Sequence, residues 1–214
     1  MESKIRDLRQ EIFKFEQLSN FDKNDFFVSE CNYFAFNLIK SWPNWEKKIL
    51  NIYGERKSGK SHLSEIFLEN KKGVKFKLKD LNNKIFGRIK GYENIVIEDF
   101  NERCDEEAAY SLIDMVEKEN KYLLITSVRA VNEMETRLKD LNSRFKNILT
   151  AKIDKPDDEL IHALIVKNFS DNQIILDKKL INFICKRIAR SYDKISEFIC
   201  TIDEISLKKK KPIN

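Results

Sequence analysis

With 214 residues, 42% of them hydrophobic and 35% charged, the chain can bury one large core, alone or with a small appendage. Its formal charge of +5 rests mostly on Lys208, Lys209, Lys210 and Lys211, because residues 208–214 contain no acid and residues 1–207 carry only +1. The body therefore lacks the charge excess that would mark a nucleic-acid-coating protein. Cys31, Cys104, Cys185 and Cys200 form no C-x-x-C pair and only two histidines accompany them, which suggests neither a zinc site nor a disulfide framework and favours reduced thiols. No apolar signal core follows Met1, and no window approaches the roughly 20 apolar residues of a membrane span. The expectation is a cytoplasmic protein with no membrane partner.

Near the N-terminus Ile5, Leu8, Ile12 and Phe15 recur at spacings of three and four, the pattern of a short amphipathic helix. The stretch Gln10-Glu11-Ile12-Phe13-Lys14-Phe15 also reads as an extended peptide motif, in which the Gln10 amide bonds a partner while apolar and aromatic side chains fill its pocket. Six residues do not decide between the two. Ser29 then caps a helix that turns Ala35, Leu38 and Ile39 inward until Trp42-Pro43 ends it.

An apolar run of Ile49, Leu50 and Ile52 leads into Gly54-Glu55-Arg56-Lys57-Ser58-Gly59-Lys60-Ser61, after which Leu63, Ile66 and Phe67 share a helical face. Strand, glycine-bearing loop and helix in that order, with the spacing G-x-x-x-x-G-K-S, is the context of a phosphate-binding loop. Backbone N–H groups from Gly54 to His62, those of Lys57, Ser58 and Gly59 among them, would converge on phosphate oxygens. Lys60 would hold the β- and γ-phosphates and Ser61 would bind Mg²⁺.

Val74, Phe76 and Leu78 alternate with Lys75, Lys77 and Lys79, the period of a half-buried strand with a solvated lysine face. Ile95-Val96-Ile97-Glu98-Asp99-Phe100 reads as a strand buried on both faces whose acids fall at its carboxyl end, where open α/β sheets bind ligands. Glu98 would complete the Mg²⁺ shell and Asp99 would orient or polarise the attacking water. Residues 105–120 form a helix that buries Ala108, Ala109, Leu112, Ile113 and Val116. Tyr122–Ser127 is a buried strand ending in two hydroxyls, Met134–Phe145 is helical, and Ile148–Ile153 makes a fifth strand. This alternation predicts an α/β fold with a five-stranded parallel sheet. From Pro156 onward three amphipathic helices follow: Asp157-Asp158-Glu159 starts the first, which continues through Leu160, Ala163, Leu164 and Val166; Leu180, Phe183, Ile184 and Ile188 mark the second, and Ile195, Phe198, Ile199 and Ile202 the third. The organisation expected is an N-terminal segment over residues 1–24, an α/β domain over 25–154 and a small all-helical lid over 155–214.

The combination resembles the AAA+ class of P-loop NTPases, and within it the ATPase core of the replication initiator DnaA and, more closely, the short Hda type of that family. The likeness runs from about Gln10 to the C-terminus. It is carried by Asp25-Phe26-Phe27-Val28 with Asn32 and Ala35, by Leu138-Lys139-Asp140-Leu141-Asn142-Ser143-Arg144-Phe145 (similar to the family's D-L-x-S-R-L), by Pro156-Asp157-Asp158-Glu159-Leu160 and by Arg187-Ile188-Ala189-Arg190-Ser191.

The resemblance implies ATP or ADP with Mg²⁺ as ligands, Thr126 as a sensor of nucleotide or water, and Arg190 or Lys194 as the lid residue that senses nucleotide. It makes Arg144 a finger that reaches the γ-phosphate held by a neighbouring subunit, an arrangement compatible with homo-oligomers. It also makes Gln10, Phe13 and Phe15 a docking motif for the sliding clamp, the β subunit of DNA polymerase III. Because few residues follow the third lid helix, no room for a DNA-reading helix-turn-helix domain is expected. The protein would then have weak or no ATPase of its own and would regulate initiation negatively by stimulating hydrolysis of DnaA-bound ATP. A self-contained AAA+ ATPase, such as an initiator paralogue or helicase loader, and a non-catalytic nucleotide-dependent binding module are the alternatives.

Overall fold

The computed structural model describes residues 26–69, 72–82, 84–171 and 177–209; the Gln10–Phe15 motif, Lys210 and Lys211 lie outside them. Five parallel strands, β1 (Ile49–Tyr53), β2 (Gly73–Lys77), β3 (Asn94–Phe100), β4 (Tyr122–Ser127) and β5 (Leu149–Lys152), form one sheet in the order β2-β3-β4-β1-β5. β1 is thus flanked by β4, with Ile52 opposite Thr126, and by β5, with Ile52 opposite Ala151. The three inner strands are the most apolar, as strands covered on both faces must be. On β2, an edge strand, Phe76 is buried while Lys75 and Lys77 are not.

Helices cover both faces. α1 (Tyr33–Ser41) and α2 (Lys60–Leu68) pack Ala35, Ile39, Leu63, Ile66 and Phe67 against Leu50, Ile52, Val96 and Leu124. α3 (Ile85–Ile89), α4 (Glu106–Lys118) and α5 (Lys139–Lys146) pack on the opposite face around Ile95, Ile97, Leu123 and Ile125. The side on which a crossover helix lies follows from the connections: β1 to β2 runs one way across the sheet and β2 through β4 to β5 runs back, so right-handed connections place α2 opposite α3, α4 and α5. Each fully buried Leu, Ile or Phe in these layers stabilises by about 1.5–3 kcal/mol.

α4 matches its sequence pattern closely: Ala108, Ala109, Leu112, Ile113 and Val116 are all buried, and the Asp105 carboxylate accepts the Ala108 N–H at 3.1 Å. The expected helix over 134–145 is shorter, because Val131–Glu133 forms a 3₁₀ turn and α5 begins only at Lys139. The Ser29 cap is corrected as well. The Ser29 hydroxyl meets Cys31 Sγ at 3.1 Å instead, its carbonyl accepts the Tyr33 N–H at 2.9 Å, and the helix starts after Asn32.

α6 (Asp158–Asp171), α7 (Lys178–Cys185) and α8 (Tyr192–Lys209) assemble a separate apolar cluster from Ile161, Ile165, Phe169, Ile181, Ile195 and Ile199. Two faces differ from expectation. Val166 is exposed, the buried stripe of α6 being Leu160, Ile161, Ile165 and Phe169. Phe183 is 53% exposed and lies under the Arg187 guanidinium at 3.8 Å, so α7 buries Ile181 and partly buries Ile184 in its place. α6 starts where Asp157 accepts the Leu160 N–H at 2.8 Å and the Cys31 N–H at 3.2 Å. Burial works against the Asp157 carboxylate, but these bonds hold it below the usual range. Tyr192 at the head of α8 donates to the Asp154 carbonyl at 3.1 Å and lies 3.5 Å from Cys31 Sγ. Cys31, Asp154, Asp157 and Tyr192 therefore join the approach to α1, the exit of β5, α6 and α8.

Candidate phosphate-binding site

The carboxyl ends of β1, β3 and β4 open on one edge of the sheet, and the candidate residues gather there. β1 ends at Tyr53, and Gly54 passes so close to the neighbouring strand exit that an added Cβ would lie 2.7 Å from the Ile153 carbonyl oxygen. Its N–H donates to the Ser127 carbonyl at 3.2 Å, which ties the loop to the end of β4. The loop then uses two left-handed residues, Lys57 (φ 61°) and Gly59 (φ 91°). Gly59 caps α2, and a side chain there would meet the Phe26 ring at 3.0 Å. Alternation of this kind turns successive N–H groups toward a common concavity suited to anions.

Lys60 is the half-buried centre of the loop. Its ammonium donates to the Gly54 carbonyl at 2.9 Å and to the Glu55 carbonyl, and lies 3.3 Å from Ser58 Oγ. Burial pushes its pKa below the usual lysine range, while the carboxylates of Asp99, Asp193 and Glu55 pull the other way. A partly desolvated cation of this kind is suited to an anionic ligand. Ser61 is exposed at the first turn of α2, and His62 packs edge-on to Phe26 at 5.3 Å between ring centroids.

The two acids of β3 part company. Glu98 is buried, whereas Asp99 is exposed at φ 59°, where the β3–β4 pairing shifts register between Ile97 and Phe100. Glu98 shares its sheet face with Val96, under α2. Glu98 Oε2 lies 3.8 Å from Lys75 Nζ, and Lys75 also pairs with Glu65 of α2. Glu98 Oε1 is buried without a hydrogen-bond partner among the described residues, so its chemistry fits a cation. Mg²⁺ asks a protein for only one or two carboxylates beside phosphate oxygens and water, and no group of three or more His, Cys, Asp and Glu side chains suited to a metal occurs among the described residues. Thr126 is buried one residue before the end of β4, on the same face as Leu124.

The remaining candidates are held in ion pairs. Arg190 pairs with Asp158 at 2.8 Å and Lys194 with Glu197 at 2.7 Å. The α8 residue that meets the loop is Asp193, 3.6 Å from Lys57 Nζ, with Ser196 Oγ accepting from the same ammonium at 3.2 Å. Arg144 lies against α4, bonded to Asp114 at 2.9 Å and to Glu117, with its guanidinium 4.8 Å from the centre of the Tyr110 ring.

The sequence reading also passed over Asn51. This wholly buried amide donates to the Ile125 carbonyl at 3.1 Å and to Ser127 Oγ at 2.9 Å, and accepts the Val131 N–H at 2.9 Å. It fastens β1 to β4 directly beneath the loop. Its one signal in the sequence is a polar residue inside an otherwise apolar strand.

The sheet order, the loop after β1 and the acids near the carboxyl end of β3 define the fold of an AAA+ P-loop NTPase. Solved structures agree: domain III of the Thermotoga maritima replication initiation protein DnaA superposes with a TM-score of 0.72 at 17% identity, over 92% of each chain. AMPPCP-bound DnaA from Aquifex aeolicus superposes with a TM-score of 0.71 at 17% identity, over 86% of this chain and 65% of that one. In sequence the chain shows low-identity homology to the chromosomal replication initiator protein DnaA of Buchnera aphidicola, 26% identical over 94% of this chain. It spans about half the length of that relative. No protein-family model matches the chain.

Proposed function

We propose that this protein binds ATP or ADP and acts as a DnaA-related regulator of replication initiation of the Hda type. The observation that carries the nucleotide reading is the loop Gly54–Ser61, whose half-buried Lys60 ammonium lies in the field of Asp99 at the carboxyl edge of the sheet. The AMPPCP held by the Aquifex aeolicus relative supports adenine nucleotide as the ligand. Gly54, Lys57, Ser58, Gly59 and His62 would offer backbone N–H groups, Lys60 its charge and Thr126 its hydroxyl. Ser61 and Glu98 would hold Mg²⁺, which would neutralise charge developing on the phosphates. Asp99, exposed near the end of β3, would orient a water.

In this reading Gln10, Phe13 and Phe15 dock on the sliding clamp, and Arg144 is presented to ATP bound by DnaA. A guanidinium there would stabilise charge that develops on the transferred phosphoryl group. The test is hydrolysis of DnaA-bound ATP with and without clamp on DNA: stimulation that needs both clamp and this protein is expected, and its absence rejects the regulatory role. Phe13→Ala with Phe15→Ala should abolish co-elution with the clamp, since aromatic anchors dominate small interfaces. Co-elution that survives this change but fails on altering Leu18 and Phe21 would move the motif to the competing register Gln17-Leu18-Ser19-Asn20-Phe21.

A self-contained ATPase is favoured by one observation, that the charge of Asp99 acts on the protein's own Lys60. Turnover by the isolated protein, abolished by Asp99→Asn, would establish it.

A further inference from the structure

On the α2 side of the sheet three charges form a group that does not balance. Residues paired across strands point to one face, so Lys75 of β2, which pairs with Val96, shares a face with Glu98 of β3 and lies diagonally from it. The Glu98 side chain is only 8% exposed, its Oε2 lies 3.8 Å from Lys75 Nζ, and its Oε1 is buried with no hydrogen-bond partner among the described residues. Glu65 of α2 bonds the same ammonium. One positive charge therefore serves two carboxylates, and the group keeps a net negative charge beside a buried oxygen that lacks a donor. A carboxylate in this position is costly to bury and gains from a further cation.

We infer that Lys75 is an exchangeable counter-ion that sets the affinity of Glu98 for a divalent cation: it competes with the metal for the carboxylate, and Glu65 draws it off. This rests on the reading of Glu98 as a residue that holds Mg²⁺, and it adds the groups of this chain that govern how readily the metal is taken up. A metal ion at Glu98 and the Lys75 ammonium repel each other, so attraction between Lys75 and Glu98 is lost when the ion enters. Glu65 reduces that loss, because the ammonium keeps one carboxylate when it gives up the other. Lys75 and Glu65 therefore act on the metal with opposite signs, although they bond each other. A pair that only fastens β2 to α2 gives no such difference, since removing either partner breaks the same contact.

The experiment is titration of the full chain with Mn²⁺, the paramagnetic substitute for Mg²⁺, at saturating ADP. Free Mn²⁺ is read by electron paramagnetic resonance against Mn²⁺ and ADP alone, for wild type, Lys75→Met, Lys75→Arg, Glu65→Gln, and Lys75→Met combined with Glu98→Gln. Lys75→Met should bind Mn²⁺ about three- to tenfold more tightly than wild type, and Glu65→Gln about two- to fivefold more weakly. Lys75→Arg, which keeps the charge, should stay within about twofold of wild type. Adding Glu98→Gln should erase the gain of Lys75→Met. ADP binding in EDTA should be unchanged in Lys75→Met and Glu65→Gln, since neither residue belongs to the loop. Denaturant unfolding gives a second reading: Lys75→Met leaves a buried carboxylate without its cation, so it should lose stability in EDTA and recover it with Mn²⁺ and ADP. Mn²⁺ affinity of Lys75→Met within about twofold of wild type, a change of the same sign in Lys75→Met and Glu65→Gln, or a gain that persists without Glu98 overturns the inference and leaves the nucleotide site standing. If wild type binds ADP neither with Mn²⁺ nor in EDTA, the nucleotide reading falls and this inference with it.

Discussion

Arg144 Nη2 stands 2.9 Å from Asp114 Oδ1, so the arginine of α5 is engaged by α4 of its own subunit. Glu117 bonds the other guanidinium nitrogen and the Tyr110 ring lies beneath. Hydrogen bonding to Lys118, and then the charge of Arg144, hold the Asp114 carboxyl below its usual range. A finger acting on another subunit must exchange these acids for phosphate, whereas a purely intramolecular pair never leaves them. Arg144→Ala and Arg144→Lys should bind nucleotide normally but stimulate DnaA-bound ATP hydrolysis about 10³-fold less or worse, because lysine keeps the charge without the planar fork. Asp114→Asn combined with Glu117→Gln should preserve or raise stimulation. Near-normal stimulation by Arg144→Ala would assign the residue to the α4–α5 contact alone.

Lys60→Ala should abolish ADP and AMPPCP binding with an unchanged circular dichroism spectrum, since the side chain serves the loop and not an apolar cluster.

The pH dependence of binding has a definite sign. Burial lowers the pKa of Lys60 in the free protein, and a bound phosphate, favouring the ammonium, must raise it. Affinity should therefore fall as pH rises toward the lysine range, beginning below the pH at which a solvated lysine would titrate. Binding in that window should take up protons, measurable as a dependence of the calorimetric heat on buffer ionisation enthalpy. The folding ledger carries the same sign: protonated Lys60 opposes folding at neutral pH, and that cost is relieved as pH rises through its lowered pKa. Proton release on binding at alkaline pH would contradict this account.

Gly54→Ala should cost about 1–3 kcal/mol of stability, because a methyl group 2.7 Å from the Ile153 carbonyl forces β1 and the exit of β5 apart. Denaturant unfolding measures this, and a loss smaller than that of an ordinary surface substitution would mean that the strand exit yields freely.

Thiol reactivity should be ordered by exposure and acidity. Cys200 is exposed, Cys31 is buried between Ser29 and Tyr192, and burial raises the pKa of both Cys185 and Cys104, the latter to about 11. Since the thiolate is the reactive form, iodoacetamide at pH 8 should modify Cys200 first, as read by peptide mass spectrometry. Early labelling of Cys31 would indicate opening of the junction with α8.

By itself the sequence determined whatever depends on local periodicity and short spacing. The glycines at 54 and 59, the apolar run before Glu98 and the stripe of α4 each repeat within a few residues, so the parallel sheet, its loop and the five residues that α4 buries could be read directly. Where the apolar pattern was ambiguous, as at Val166 and Phe183, only the packing of α6, α7 and α8 against one another decided which face turned inward. The charged partnerships were equally beyond reach. Arg190 and Lys194 are the basic residues an eye finds near the start of α8, yet the helix phase and the position of α6 pair them with Asp158 and Glu197 and bring Asp193 to Lys57. Asn51 is similar: its amide has meaning only once β4 and the Val131 turn lie beside it. Backbone and apolar preferences are local and additive enough to be read along a chain, whereas the partner of a charge or a buried amide lies up to 139 positions away and is chosen by the tertiary arrangement that brings the elements together.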